Sequence, residues 1–214
     1  MNIVILLYPS FAATDALGPY EVLARLPGAR VRFVAAQPGP VTADTGMLTV
    51  LAEAAYASIE HADILLIPGA PPSALPLHDE ALLGWLRRID AGSSWTCSVC
   101  TGALILGAAG LLAGKRATTH WASHPSLARY SAQPVRERVV FDGKLVTGAG
   151  VTAGYDLALH LAARIAGPTV AQAIQLGLEY APEPPFESGS PDQAPPEVVA
   201  LLRSLMVEAP QPGA

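Results

Sequence analysis

The sequence predicts an α/β fold with a mostly parallel central sheet and helices on both faces. Two observations carry that expectation. Strand-like apolar runs alternate with helical patterns along the chain, as successive βαβ units do. The run Ser94-Trp95-Thr96-Cys97-Ser98-Val99-Cys100-Thr101-Gly102 also passes from a buried strand straight into an apolar helix. Size agrees with one domain over residues 1–214: 51% of them are hydrophobic and 14% charged, enough for one well-packed core rather than two.

Taken in order, Ile3–Tyr8 reads as the first strand, Pro19–Leu26 as a helix and Val31–Ala36 as the next strand. Gly39–Leu51 reads as a hairpin insertion turning at Asp44-Thr45-Gly46. Ala62–Pro68 with Glu80–Ile89, then Trp95–Val99 with Thr101–Leu112, repeat the strand-helix pattern. Arg138–Phe141 and Lys144–Thr147 flank Asp142-Gly143, the signal of a type I′ hairpin turn. Helices at Thr152–Ile165 and Pro168–Tyr180 are separated by Gly167 and the helix-starting Pro168. From about 181 the chain turns rich in proline and glycine and cannot be core. Ala181–Pro196 reads as a disordered linker or as an extended arm laid across the domain or a partner, with aromatic Tyr180 and Phe186 favouring the arm, before a short helix at Glu197–Met206.

Composition excludes several classes. A net charge of −5 supplies no basic footprint for nucleic acid. No uninterrupted apolar span of about 20 residues is present, so no membrane helix is expected. The chain starts on a strand rather than a leader, which points to the cytoplasm. Cys97 and Cys100 are spaced C-x-x-C, but the second cysteine pair or spaced histidine pair of a zinc site is missing. Gly148-Ala149-Gly150 is too short for a dinucleotide fingerprint, and there is no phosphate loop. No metal or cofactor is implied.

Chemistry concentrates at Cys100. Ser98-Val99-Cys100-Thr101-Gly102 has the form of a nucleophile elbow, where small neighbours let the backbone turn sharply and expose the side chain. The helix that follows would point its N-terminus at the sulfur, favouring thiolate, and the Thr101 N–H sits where an oxyanion donor is needed. Cys97, inside the strand, reads as core packing. Ligands of doubly wound sheets bind at the carboxyl ends of the strands. Asp15, Gly69, Ala70 and the stretch Gly148–Val151 all follow predicted strands. Asp15 could equally be a first-turn helix carboxylate, and Glu21 a solvated helix residue. His120, in Ala117-Thr118-Thr119-His120-Trp121, could serve as a base for Cys100 or be a hydrogen-bonded structural residue. His61, His78, His124 and His160 fall in predicted helices or polar connections and have weaker claims.

The elbow, the Ala117–Trp121 block and Asp15 with Gly18-Pro19 together resemble the PfpI-like branch of the class I glutamine-amidotransferase-like superfamily. Nearly the whole chain is covered. Its later part, Gly150-Val151-Thr152-Ala153-Gly154-Tyr155-Asp156 and Gln175–Phe186, more narrowly resembles isonitrile (isocyanide) hydratases. That resemblance implies a flavodoxin-like three-layer sandwich and a homodimer with active sites near the subunit interface. It implies hydration of an isocyanide to an N-substituted formamide, with Cys100 as nucleophile, Asp15 as proton donor and acceptor, and Thr101 as their neighbour. Gly69, Ala70, Val151 and His120 are the expected substrate or oxyanion contacts. Two departures stand out: Ala70 occupies a position where many members have a second glycine, and Phe11-Ala12-Ala13-Thr14 is built of smaller residues than is common there.

The chemistry asks for a strong nucleophile and a nearby acid. In the expected cycle Cys100 attacks the terminal carbon, Asp15 protonates it to give a thioimidate, and Asp15 then helps water add before the thiol leaves; this asks for an Asp15 protonated at the start, its pKa raised by burial or the adjacent thiolate. The rival readings are another Cys100 enzyme, glyoxalase-like or an amide hydrolase, and a non-catalytic ligand or oxidation sensor. A His120 bonded to Cys100 would favour hydrolysis, and an Asp15 contact without histidine would favour isocyanide hydration.

Overall fold

Runs of Ile, Val and Leu without polar interruption must be covered on both faces, and they form the middle of the sheet. In the computed structural model, which describes residues 1–208, β1 (Asn2–Leu6), β2 (Arg30–Ala35), β3 (Gly39–Thr42), β4 (Thr49–Ala52), β5 (Ala54–Ala55), β6 (Ile64–Ile67) and β7 (Trp95–Val99) are followed by β8 (Arg116–Ala117), β9 (Gln133–Pro134), β10 (Val139–Asp142) and β11 (Leu145–Gly148). Seven of them form one sheet in the order β10-β11-β7-β6-β1-β2-β5, parallel throughout except for the edge pair β10–β11. Every residue of β6 is buried. β3 and β4 form a separate antiparallel hairpin, as expected for the 39–51 insertion.

The helices are α1 (Ala13–Leu23), α2 (Glu80–Gly92), α3 (Gly102–Ala108), α4 (Ala153–Ala166), α5 (Pro168–Gly177) and α6 (Pro196–Glu208). Right-handed crossovers put α1, which leads from β1 to β2, and α2, which leads from β6 to β7 the other way, on opposite faces. α1 packs on α4 and α4 on α5, while α2 packs on α3. This is the flavodoxin-like α/β arrangement. In α2 the Asp79 side chain caps the Leu82 N–H at 3.0 Å. One face then buries Leu82, Leu83, Trp85, Leu86 and Ile89.

The chain order reverses between β1 and β6, so the carboxyl ends of these strands and of β7 and β11 open onto one switch point. Tyr8, Gly69, Cys100 and Val151 follow these four ends. No helix among the described residues is long and apolar enough to cross a membrane.

Three boundaries differ from expectation for local reasons. α1 starts at Ala13 rather than at Pro19, which lies inside it; the proline lacks the N–H that would reach the Asp15 carbonyl. α3 ends at Ala108 rather than near Leu112, because the chain turns at Gly110 with φ +80°. Asp142 pairs with Leu145 in the ladder, so the β10–β11 loop is Gly143-Lys144. Gly143 alone has positive φ (62°), as in a type II′ turn rather than the expected type I′. Most of residues 181–195 are exposed; Tyr180 stacks on Tyr155 at 5.4 Å, whereas Phe186 faces solvent.

Candidate active site

Cys100 is the first residue beyond β7, and its φ of +57° lies where non-glycine residues rarely go. Neighbouring groups hold it there. Its N–H donates to the Gly148 carbonyl at 3.1 Å and the Ala149 carbonyl at 2.8 Å, and its carbonyl accepts from the Thr119 hydroxyl at 2.7 Å. The turn into α3 also needs Gly102, because a Cβ there would sit 2.4 Å from the Ile67 carbonyl oxygen. The thiol is left almost covered, with Cys100 7% exposed.

Asp15 lies in the first turn of α1 and is wholly buried. Its Oδ2 accepts from the Gly69 N–H at 2.9 Å. Its Oδ1 is buried and has no hydrogen-bond partner among the described residues, although the Cys100 thiol is close enough for each group to shift the other. Thr101 closes the floor of the site. Its hydroxyl donates to the Ala70 carbonyl at 2.7 Å and accepts from the Ala70 N–H at 2.9 Å. Gly69 is confined between these groups: a Cβ would lie 2.5 Å from Thr101 Oγ1 and 2.8 Å from Asp15 Oδ2. Position 69 therefore admits no side chain.

Burial dominates the electrostatics. It raises Asp15 to about 7, against the opposing pull of the Gly69 N–H and the Cys100 thiol, with the charge of Asp44 adding a little. It pushes the Cys100 thiol up to about 12, assisted by the Asp15 charge and opposed by the N–H groups of Thr101 and Val151, which face the sulfur. The resting pair at neutral pH is thus a protonated thiol beside a carboxyl on the edge of ionisation. Burial thus works against the thiolate expected from the helix N-terminus. α3 has only seven residues, and its dipole does not outweigh desolvation of the sulfur.

The sequence profile of the DJ-1/PfpI family matches residues 1–164. The chain belongs to the DJ-1/PfpI family. It is a close homologue of isonitrile hydratase from Pseudomonas putida, 48% identical over 203 residues, which cover 95% of this chain and 89% of the relative. It is also similar to the HTH-type transcriptional regulator CdhR of Pseudomonas aeruginosa, at 34% identity over 78% of this chain but only 51% of the regulator. Among solved structures, a THiJ/PfpI family protein from Pseudomonas syringae superposes with a TM-score of 0.92 at 38% identity, covering 97% of this chain and 86% of that one.

Within this member of the family, Asp15, Gly69, Ala70, Cys100, Thr101 and Val151 come together at the strand ends. Both N–H groups at Gly69 and Ala70 are committed, to Asp15 and Thr101, so the donors that face the sulfur belong to Thr101 and Val151. His120 stands apart. Its Nδ1 accepts from the Ala122 N–H at 3.3 Å, burial lowers its pKa, and it makes no hydrogen bond to Cys100 among the described residues. His120 instead lines a cleft of about 1060 Å³ that reaches Ala149, Gly150 and Val151 and is bordered by Gly189–Gln193 of the arm and Arg203 of α6. Glu21 pairs with Arg25 at the surface. Sequence reasoning passed over Tyr8, which is buried with its hydroxyl donating to the Pro68 carbonyl at 2.8 Å. Its only signal was a tyrosine at a strand end, followed by proline.

Proposed function

We propose that this chain hydrates isocyanides to N-substituted formamides, using Cys100 as nucleophile and Asp15 as the group that carries the proton. The observation that supports this most is a wholly buried carboxyl, raised to about 7, facing a thiol to which no histidine is bonded among the described residues. Similarity to an isonitrile hydratase over nearly the whole chain supports the substrate class.

The cycle starts with the proton on the sulfur rather than on Asp15 as the sequence reading expects, because burial raises the thiol further than the carboxyl; that proton passes to Asp15 as the sulfur forms a bond to the terminal isocyanide carbon. Asp15 then gives that proton to the same carbon, leaving the thioimidate R–N=CH–S–Cys100. Asp15 next takes a proton from water as the water oxygen adds to the carbon and passes that proton to the nitrogen, giving R–NH–CH(OH)–S–Cys100 and leaving the carboxylate free to carry the hydroxyl proton to the departing sulfur. Collapse of the tetrahedral adduct releases R–NH–CHO and restores the thiol, so the net reaction consumes one water. The Thr101 and Val151 N–H groups stabilise charge on the sulfur while the proton is away. The 1060 Å³ cleft beside Val151 is the proposed route for substrate, with His120 as a wall rather than a base.

We place the chain in the cytoplasm as one domain with a C-terminal arm; its free buried cysteines suit a reducing compartment. We further infer a homodimer, supported by the exposed apolar side chains Val198, Leu201, Leu202, Leu205 and Met206 on α6 beside the cleft. Sedimentation showing only monomer at several concentrations would sink that inference. The function is tested by incubating purified protein with aryl and alkyl isocyanides and following loss of isocyanide absorbance and appearance of the formamide by mass spectrometry. Turnover of methylglyoxal or an amide instead would move the chain to the rival enzyme class, and ligand binding without turnover to the sensor class.

A further inference from the structure

Two buried hydroxyls outside the proposed reaction end on the same kind of structure. The Tyr8 hydroxyl donates to the Pro68 carbonyl at 2.8 Å, and the N–H of that same peptide group, on Gly69, donates to Asp15 Oδ2 at 2.9 Å. The Thr119 hydroxyl donates to the Cys100 carbonyl at 2.7 Å, and the N–H of that peptide group, on Thr101, faces the Cys100 sulfur. A peptide is one resonant unit, so a donor on its oxygen draws charge from its nitrogen and makes its N–H a stronger donor. Thr119 is 1% exposed and Tyr8 7%, so little water competes for either contact.

We propose that Tyr8 and Thr119 are positioning residues that act through single peptide groups, Tyr8 through Pro68–Gly69 on Asp15 and Thr119 through Cys100–Thr101 on the sulfur. This deepens the proposed hydratase reading, since it assigns what sets the proton balance of the reacting pair. Each relay favours the charged form of its target: the first stabilises the Asp15 carboxylate, the second the Cys100 thiolate. Together they oppose the desolvation that pushes both groups toward neutrality. Each hydroxyl donates to a backbone carbonyl, and neither is hydrogen-bonded to the Asp15 carboxyl or the Cys100 sulfur among the described residues, so each acts through its peptide. Asp15 is otherwise faced by the Cys100 thiol from the elbow and by Asp44 from the β3–β4 hairpin. From α4, Tyr155 packs on Gly18 and Asp156 is paired with Arg138.

The test uses the full chain and readouts that need no turnover. Carbon-13 labelling of aspartate carboxyls, with Asp15→Asn to identify the resonance, gives the Asp15 midpoint directly. Tyr8→Phe should move it upward by roughly 0.2–0.6 pH unit, the size expected for loss of 10–30% of a charge-assisted hydrogen bond. Placing 3-fluorotyrosine at position 8 keeps the ring, strengthens the donor and should move the midpoint down. Thr119→Val should slow iodoacetamide alkylation of Cys100 about two- to four-fold at a fixed alkaline pH, and Thr119→Ser should restore it. Cys97→Ala should leave both readouts in place. Midpoints and alkylation rates unmoved by Tyr8→Phe and Thr119→Val, or moved the opposite way, overturn the relays. Shifts in the expected directions in a protein that hydrates no isocyanide would sustain the relays and remove the hydratase reading.

Discussion

The middle and the end of β7 each carry a cysteine, three residues apart, and their surroundings differ sharply. Cys97 is wholly enclosed by core, its thiol raised well above the usual range with burial as the one cause. Cys100 is almost as covered, yet around it stand the Asp15 carboxyl and the inward N–H groups of Thr101 and Val151. Burial alone makes a thiol inert, because it penalises the charged form that reacts. The working difference at Cys100 is therefore the company that the strand end assembles. A carboxyl of pKa about 7 can accept the thiol proton and return it, whereas among the described residues no ionisable group shifts the Cys97 thiol.

The largest expected effect is Cys100→Ala, which should abolish isocyanide turnover while circular dichroism and thermal unfolding remain near wild type. Limited treatment with iodoacetamide followed by peptide mass spectrometry should label Cys100 first. Preferential labelling of Cys97 would reverse the comparison. Next comes Asp15→Asn, which keeps the shape of the side chain but cannot cycle a proton. Turnover should fall by about 10²–10⁴-fold, the usual worth of general acid–base catalysis. A variant as active as wild type would leave the nucleophile and discard Asp15 as the proton carrier.

Asp15 also makes stability depend on pH, in a direction that can be worked out. Its pKa is raised from 3.8 in the ordinary carboxyl to about 7 in the fold, so between these values the folded chain holds a proton that the unfolded chain has lost. Its contribution is intact below about pH 4 and is lost as pH rises toward and through 7. At 1.36 kcal/mol per unit the full loss is about 4 kcal/mol as an upper bound. Denaturant unfolding of wild type and Asp15→Asn from pH 4 to 8 should show the variant gaining relative stability steadily across that window. A flat difference would mean that Asp15 titrates normally. The same burial that raises Asp15 toward neutral pH, as the proposed proton carrier requires, opposes holding its charge.

Much of this arrangement was legible in the sequence, and the parts that were not share a cause. Ile64–Ile67 and Trp95–Val99 announce themselves as inner strands because nearly every residue is apolar or small, and the small residues around Cys100 announce the elbow. The start of α1 was hidden because Pro19 looks like a first helical residue, while its lost N–H is tolerated in the helix interior. A helix N-terminus can be read locally and points to thiolate at Cys100, whereas the burial that opposes it is summed over distant segments. Tyr8 and the paired contacts between Thr101 and Ala70 depend on which peptide group faces which side chain, and residue type alone does not encode that.

The smallest effect sharpens the comparison most. Cys97→Ala removes one buried sulfur from the centre of β7, between Leu66 on β6 and Val146 on β11 in the ladder. The side chain makes no ion pair and carries no charge at neutral pH, so its loss is one of packing alone. A cost of roughly 1 kcal/mol is expected, as for a modest core deletion, and it should appear as a lower denaturant midpoint with an unchanged slope. Turnover should stay within about two-fold of wild type, since the strand end is fixed by bonds from Gly148, Ala149 and Thr119 that Cys97 does not share. Loss of turnover far beyond the loss of stability would show that the middle of β7 transmits to its end, and the division between the two cysteines would then have to be redrawn.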